Sequence, residues 1–146
     1  MTMEKFSIDY KDYGELVQSL VYRTKDLKPT CIYGLPRGGL PIAVHLSHYL
    51  KVPVILDLDQ YQGGLLLVVD DIVDSGSTFS KLIEIAFEKK IEYKTASLLY
   101  KPCSSYIPDY FVSEVPSILW IVFPWERMDE ECQVDQTFTC ILNGEK

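Results

Sequence analysis

The sequence predicts an α/β protein in which helices flank a mostly parallel, twisted sheet, and three observations support this prediction. Several short segments are almost continuously aliphatic, as strands are when both faces of their sheet are covered. Segments with apolar residues at helical spacing lie between them, and this alternation is typical of a parallel sheet with helices on each side. The length of 146 residues is that of one domain, so we expect 1–146 to fold as a single domain.

The predicted elements follow one another in a regular order. The first helix covers 12–26, where apolar residues recur at helical spacing until Pro29 ends the pattern. Two further helices are predicted at 39–50 and 78–90. The predicted strands are 30–34, 52–57, 65–70, 93–100 and 109–112. A weak alternation at 137–142 indicates one more strand, at an edge of the sheet.

Composition and charge are those of an ordinary globular protein. Hydrophobic residues make up 47% of the chain and charged residues 24%, with a net charge of −7. Nucleic-acid phosphates repel such a surface, and since the sequence has no Lys/Arg run, we expect no nucleic-acid partner. The N-terminus lacks the apolar core of a signal peptide, and the longest apolar run, 118–125, is far shorter than the roughly 20 residues of a membrane span. We therefore expect a cytoplasmic protein without a membrane span.

The cysteines and histidines form no recognisable metal motif. No C-x-x-C pair occurs among the four cysteines, which are Cys31, Cys103, Cys132 and Cys140. Reduced thiols in a reducing cytosol are the favoured interpretation, with a zinc site or a Cys132–Cys140 disulfide as alternatives. His45 and His48 have a helical spacing that can hold a metal, but with no acid or cysteine nearby in sequence we interpret them as surface or core histidines.

Two loops at predicted strand ends carry the polar residues that indicate a function. The segment LPRGG follows strand 30–34, and the segment DDIVDSGST continues from the aliphatic run that begins at Leu65. Ligands of open parallel sheets bind beyond the carboxyl ends of the strands. The two loops are therefore predicted to form one shared site.

The second loop combines a phosphate cradle with three carboxylates. The small residues 75–78 let backbone N–H groups approach a ligand closely, and Ser77 or Thr78 is expected to cap the helix that follows. Carboxylates beside a phosphate repel it unless a divalent cation or ligand hydroxyls intervene, and a sugar phosphate with Mg²⁺ satisfies both conditions. Asp70 and Asp71 would then bind the ribose hydroxyls or the metal. The alternative is a solvated turn followed by a helix cap.

This stretch resembles the binding signature for 5-phosphoribosyl 1-pyrophosphate (PRPP) of the type I phosphoribosyltransferases, and the spacing of 30–126 is similar to that of the bacterial xanthine-guanine (purine) group. The resemblance implies a phosphoribosyltransferase-like domain with a small C-terminal base-binding region at about 101–130. It implies an Mg²⁺-dependent pentosyltransferase of purine salvage, which moves ribose 5-phosphate from PRPP to a 6-oxopurine and releases pyrophosphate. Xanthine, guanine and hypoxanthine all stay open as the base. A homo-oligomer, either a dimer or a tetramer, is also implied.

The resemblance also implies roles for individual residues. PRPP binding is implied for Arg37, Gly38, Asp70, Asp71, Asp74, Ser75, Gly76, Ser77 and Thr78, with Asp70 and Asp71 as metal ligands. Asp74 is the implied catalytic residue, beside N7 of the base. Base binding is implied for Lys101, Trp120, Ile121 and Glu126. Taken singly, Trp120 is equally a candidate core residue and Lys101 a simple exposed charge. Relatives often hold a cis peptide at the position of Pro36–Arg37.

The sequence departs from the family pattern in three places. The connection before the aspartate strand, a long mobile loop in many relatives, is reduced to about 59–64, Ser77 replaces a frequent glycine, and Val122 stands where close relatives have an acid. These departures support a second hypothesis, a non-catalytic PRPP- or nucleotide-binding regulatory module of the same fold. A third hypothesis, an aspartyl phosphatase, is weaker. Those enzymes use an aspartate directly after the first strand as the nucleophile, whereas here the three aspartates lead into a phosphate cradle.

Overall fold

The computed structural model describes residues 4–126, which form a five-stranded sheet, a two-stranded sheet and three α-helices. The strands are β1 (Glu4–Ser7), β2 (Cys31–Gly34), β3 (Val54–Ile55), β4 (Leu65–Val73), β5 (Glu92–Tyr100), β6 (Tyr110–Glu114) and β7 (Leu119–Val122). The helices are α1 (Tyr10–Thr24), α2 (Gly39–Leu50) and α3 (Ser77–Glu88). Short 3-10 turns follow at Lys25–Leu27, Leu58–Gln60 and Pro124–Glu126. No helix in this part of the chain is long and apolar enough to cross a membrane.

The larger sheet is parallel throughout, with the strand order β3-β2-β4-β5-β6. Helices cover both of its faces. Leu67 and Val69 of β4 pack with α1 and α2, whereas Leu66 and Val68 pack with α3. Because successive strand residues point to opposite faces, both sets must be apolar, and this explains the unbroken aliphatic run. The predicted α/β fold is confirmed.

Most element boundaries differ by one to three residues from those predicted, and three of these differences are informative. Strand β4 runs on through both aspartates to Val73, because Asp70 still pairs with Ser97 of β5 and the pairing continues beyond it. Strand β3 has only two residues, at the edge of the sheet. Helix α1 begins at Tyr10, because the Asp9 carboxylate accepts a hydrogen bond of 2.7 Å from the Asp12 N–H and caps the helix.

The two-stranded sheet was not predicted. In it β1 pairs in parallel with β7, so that Lys5 lies opposite Trp120. The pairing places the N-terminal strand beside the segment that the sequence assigned to base binding. The predicted strand at 137–142 and the Cys132–Cys140 pair lie outside the described residues.

Candidate active site

Residues 74–76, here called the phosphate-type loop, follow β4 at its carboxyl end and lead into α3. Here the predicted helix cap is wrong: the N-cap is Gly76, which has a positive φ of 86° and no capping side chain, and Ser77 and Thr78 already lie in the first turn. The Ser77 hydroxyl lies 3.1 Å from that of Ser75. The first N–H groups of a helix have no intrahelical acceptor, so this helix start retains donors for an anion.

Asp70 and Asp71 lie within β4, near its carboxyl end, as adjacent, half-buried carboxylates. The Asp71 N–H donates to Asp70 Oδ1 and the Ile72 N–H donates to Asp71 Oδ1, both at 2.8 Å. Burial raises the pKa of both carboxyl groups, and the charge of Asp71 raises the pKa of Asp70 further. A cation at this pair would relieve that repulsion.

The acidic pair also fits a metal ion that completes its shell from the ligand. Residues 4–126 contain no cluster of three or more His, Cys, Asp or Glu side chains able to hold a metal by themselves. Mg²⁺ characteristically uses one or two carboxylates and takes its remaining oxygens from water and substrate phosphates. The donor set at Asp70 and Asp71 suits this kind of binding.

The LPRGG loop lies directly against the acidic pair. The Leu35 N–H donates to the Val69 carbonyl at 2.9 Å, which holds the end of β2 beside β4. The Cα of Gly38 packs on the Asp71 carboxylate so closely that a Cβ there would overlap it. Arg37 is exposed on the same loop, and the Pro36–Arg37 peptide bond is cis. The two strand-end loops therefore meet, as the topology predicted.

A cavity of about 230 Å³ lies beside these loops. Its lining consists of Asp71, Ile72, Asp74, Lys101, Trp120, Ile121, Phe123 and Glu126. All four residues that the resemblance assigned to base binding are among them, together with Asp74. Ile72 and Phe123 were not predicted, because apolar residues in apolar runs carry no sequence signal for a site. The volume is below the roughly 300–1,000 Å³ of drug-sized pockets and suits a small planar ligand.

Lys101 and Asp74 form the polar centre of this cavity. The Lys101 ammonium nitrogen lies 3.4 Å from Asp74 Oδ1. Lys101 is only 1% exposed, whereas the Asp74 side chain is 53% exposed. The alternative that Lys101 is a simple exposed charge is therefore wrong. A buried ammonium group is costly unless it is paired, so this lysine is held in place and has few conformations available.

Another part of the cavity lining comes from β7 and the 3-10 turn after it. Trp120 is 48% exposed, which rules out the alternative that it is a core residue, whereas Ile121 next to it is buried. Glu126 is fixed by a hydrogen bond of 3.3 Å from the Phe123 N–H to Oε2. An indole and a carboxylate thus line the same cavity as Lys101.

His45 lies outside the cavity. Its Nδ1 and the Tyr13 hydroxyl share a hydrogen bond of 2.8 Å, and the two rings lie in an aromatic groove between α1 and α2.

The connection from β3 to β4 is short and fixed, because Gln60 Oε1 accepts a hydrogen bond from the Leu56 N–H at 2.7 Å and Lys89 forms an ion pair with Asp59. Within residues 4–126, the segment between β3 and β4 is therefore too short to form a long lid.

The fold and the two loops at the strand ends are those of the phosphoribosyltransferase class of proteins. Residues 55–131 match the phosphoribosyl transferase domain family, and the chain belongs to it, as a type I phosphoribosyltransferase. The chain is 37% identical to the xanthine-guanine phosphoribosyltransferase of Nitratidesulfovibrio vulgaris (strain DP4), in an alignment that covers 83% of this chain and 84% of that protein.

Solved structures agree with this assignment. A purine phosphoribosyltransferase from Pyrococcus horikoshii Ot3 is 30% identical, with a TM-score of 0.78, and 90% of this chain and 100% of that one are covered. A hypothetical protein from Neisseria gonorrhoeae with bound ppGpp shares the fold, with a TM-score of 0.76 at 19% identity and 99% of each chain covered. The family predicted from the sequence is confirmed.

Proposed function

We propose that the protein is a purine phosphoribosyltransferase, which transfers ribose 5-phosphate from PRPP to a 6-oxopurine and releases pyrophosphate. One observation carries the proposal: the buried Lys101 is paired with Asp74 in a small cavity that Trp120 also lines. A module that only sensed PRPP would not need this cavity. The phosphate-type loop and the acidic pair adjoin it, so that a base and a sugar phosphate could be bound side by side.

Lys101 accounts for the choice of a 6-oxopurine. Its ammonium group is a donor and has no acceptor capacity, so it suits the 6-oxo group of guanine, hypoxanthine or xanthine. Adenine has an amino group there, which is also a donor. Because Lys101 is buried, it cannot turn into water to avoid the mismatch, and an unpaired buried donor is strongly unfavourable. Adenine should therefore be rejected.

The remaining residues have roles that follow from their chemistry. Residues 75–78 and the start of α3 would bind the 5-phosphate, and Arg37 the pyrophosphate. Mg²⁺ bound at Asp70 and Asp71 would neutralise charge on the leaving group. Trp120 would stack on the base, and Glu126 would accept from a donor at position 2.

Asp74 would manage the proton of the base. O6 and N7 are neighbours on one edge of a purine, so a base held at O6 by Lys101 brings N7 toward the nearby Asp74 carboxylate, which would accept a hydrogen bond from N7 in the tautomer that carries its proton there. N9 forms its bond to C1 of the ribose while the bond from C1 to the pyrophosphate oxygen breaks through an oxocarbenium-like state. A proton on N7 then passes to Asp74, which leaves the product purine neutral.

The experiment is to incubate the protein with PRPP, Mg²⁺ and one base at a time, namely xanthine, guanine, hypoxanthine or adenine, and to follow nucleotide and pyrophosphate formation. We expect product with at least one 6-oxopurine and none with adenine. Product with adenine alone would contradict the role of Lys101. No product with any base would refute the proposal.

The second candidate is a non-catalytic PRPP- or nucleotide-binding regulatory module. The short, fixed connection between β3 and β4 favours it, because lids in this class of reaction exclude water from the site. Such a module would show a rise in Tm with Mg²⁺ and PRPP but no product with any base. A homo-oligomer stays a prediction for either candidate, and analytical ultracentrifugation would test it.

A further inference from the structure

The turn that follows β5 is bonded to the phosphate-type loop. The Ser105 N–H donates to the Ser75 carbonyl at 3.0 Å, and the Ser105 hydroxyl donates to the same oxygen at 2.9 Å. One residue thus satisfies both acceptor positions of one carbonyl. The closeness extends to Gly76, where an added Cβ would lie 2.8 Å from the Ser105 hydroxyl oxygen.

These two bonds control the direction of a backbone donor. The Ser75 carbonyl and the Gly76 N–H belong to one peptide unit, and in a trans peptide they point in opposite directions. Fixing the carbonyl toward Ser105 therefore turns the Gly76 N–H away from the turn that carries Ser105. Gly76 has a positive φ here and, as a glycine, adopts negative φ values about as readily. Without an anchor, the Ser75–Gly76 peptide could therefore flip and present its carbonyl oxygen to an anion.

The turn that carries Ser105 is itself well anchored. The Tyr106 ring stacks on Phe79 of α3, with centroids 5.2 Å apart. The Tyr106 hydroxyl and Asp109 both bond to Thr95, which is buried in β5, at 2.9 Å and 3.1 Å. The turn is thus fixed to the core independently of any ligand, so Ser105 offers its two donors before a phosphate arrives.

We propose that Ser105 is a positioning residue for phosphate binding: it holds the Ser75–Gly76 peptide in the orientation that presents the Gly76 N–H to the 5-phosphate. This inference rests on the proposed function, since it names the group that the loop binds. Ser105 does not itself need to touch the ligand. Its effect should fall on phosphate affinity and leave the base cavity unaltered.

The test compares Ser105→Ala with the wild type, with Ser105→Thr as the conservative variant and Ser113→Ala as a matched exposed control. Ser105→Ala keeps the backbone bond and loses the hydroxyl bond, so the Kd for PRPP with Mg²⁺ should rise roughly 2- to 12-fold, the range that loss of one hydrogen bond gives. The KM for PRPP should rise with it, while kcat and the KM for the base stay unchanged. Ser105→Thr should restore most of the affinity, and Ser113→Ala should match the wild type.

Ribose 5-phosphate serves as a second probe, because its binding requires the loop but neither a base nor turnover. If the wild type binds ribose 5-phosphate but makes no nucleotide from PRPP and any base, the proposed function fails. Weaker binding of ribose 5-phosphate by Ser105→Ala would still support the positioning role in that case. The positioning role is overturned if Ser105→Ala and the wild type bind ribose 5-phosphate with equal affinity. It is also overturned if kcat falls and the KM for the base rises as much as the KM for PRPP does. Absence of binding of both probes by the wild type overturns both proposals.

Discussion

Replacing Lys101 by methionine separates recognition from stability at one residue. Methionine retains most of the length of the lysine stem and removes the charge. The lost contact is a hydrogen bond from a charged donor, which is worth about 1.5–3 kcal/mol, so kcat/KM for a 6-oxopurine should fall roughly 10- to 160-fold. Because Lys101 is 1% exposed and its partner Asp74 is half exposed, the ammonium group loses its hydration and gains only a partly screened ion pair.

The stability of the same variant should not fall. Replacing a buried ion-pair member with an apolar side chain of similar size is often neutral or stabilising, and Asp74 can still be solvated. We therefore expect an unchanged or higher Tm together with the loss of activity, measured by initial rates and thermal unfolding of one preparation. Lys94→Met is the matched control, since Lys94 is exposed on β5, the strand that Lys101 directly follows, and should tolerate the change. Full activity in Lys101→Met, or a loss of activity that only follows unfolding, would refute the reasoning.

Three further predictions concern Asp74, Asp70 and the glycine that packs on the Asp71 carboxylate. Asp74→Asn should keep PRPP binding, measured by calorimetry, and lose most of its turnover; unchanged turnover would remove Asp74 from the mechanism. The pKa of Asp70 is raised above its ordinary value of 3.8, so the folded state holds this proton more tightly than the unfolded state, and ionisation should lower the stability of the metal-free protein as the pH rises from about 4 toward the raised pKa. Denaturant unfolding at several pH values should show this slope, Asp70→Asn should reduce it, and an identical slope in the variant would contradict the assignment. Gly38→Ala should weaken the binding of Mg²⁺ and PRPP because its Cβ overlaps the Asp71 carboxylate. The control Gly14→Ala, in open space on a helix, should raise the free energy of unfolding by roughly 0.5–1 kcal/mol. Equal PRPP affinity in both variants would show that the close approach at Gly38 is unimportant.

The sheet and its loops were predictable because their signals are local. The aliphatic run 65–69 is long and unbroken, and the loop residues beyond it are of types that burial would not favour. The end of β4 was missed because paired acids look like a loop in sequence, whereas pairing with β5 continues through them. The helix cap was missed for a related reason: serine is a common N-cap residue, but here a glycine with positive φ comes first.

The candidate site was predictable in its membership and not in its physical state. Residue types and spacing brought Asp74, Lys101 and Trp120 together by resemblance. The burial of Lys101 was not visible, since it depends on how other parts of the chain cover the end of β5. Nor was β1 visible, because four residues with no distinctive pattern become a strand only through a partner at the far end of the described chain.

The pairing of β1 with β7 affects the order in which the parts of the cavity form during folding. The strands of the large sheet are joined by connections of moderate length, whereas this pairing joins the two ends of the described chain and closes the longest loop within residues 4–126. Contacts of such large sequence separation carry the greatest closure entropy and form late. The side of the candidate site that the two strand-end loops form should thus be able to assemble before the part of the cavity lined by Trp120. It also follows that an N-terminal tag or truncation would act on base affinity from a distance, although none of the residues it alters lines the cavity.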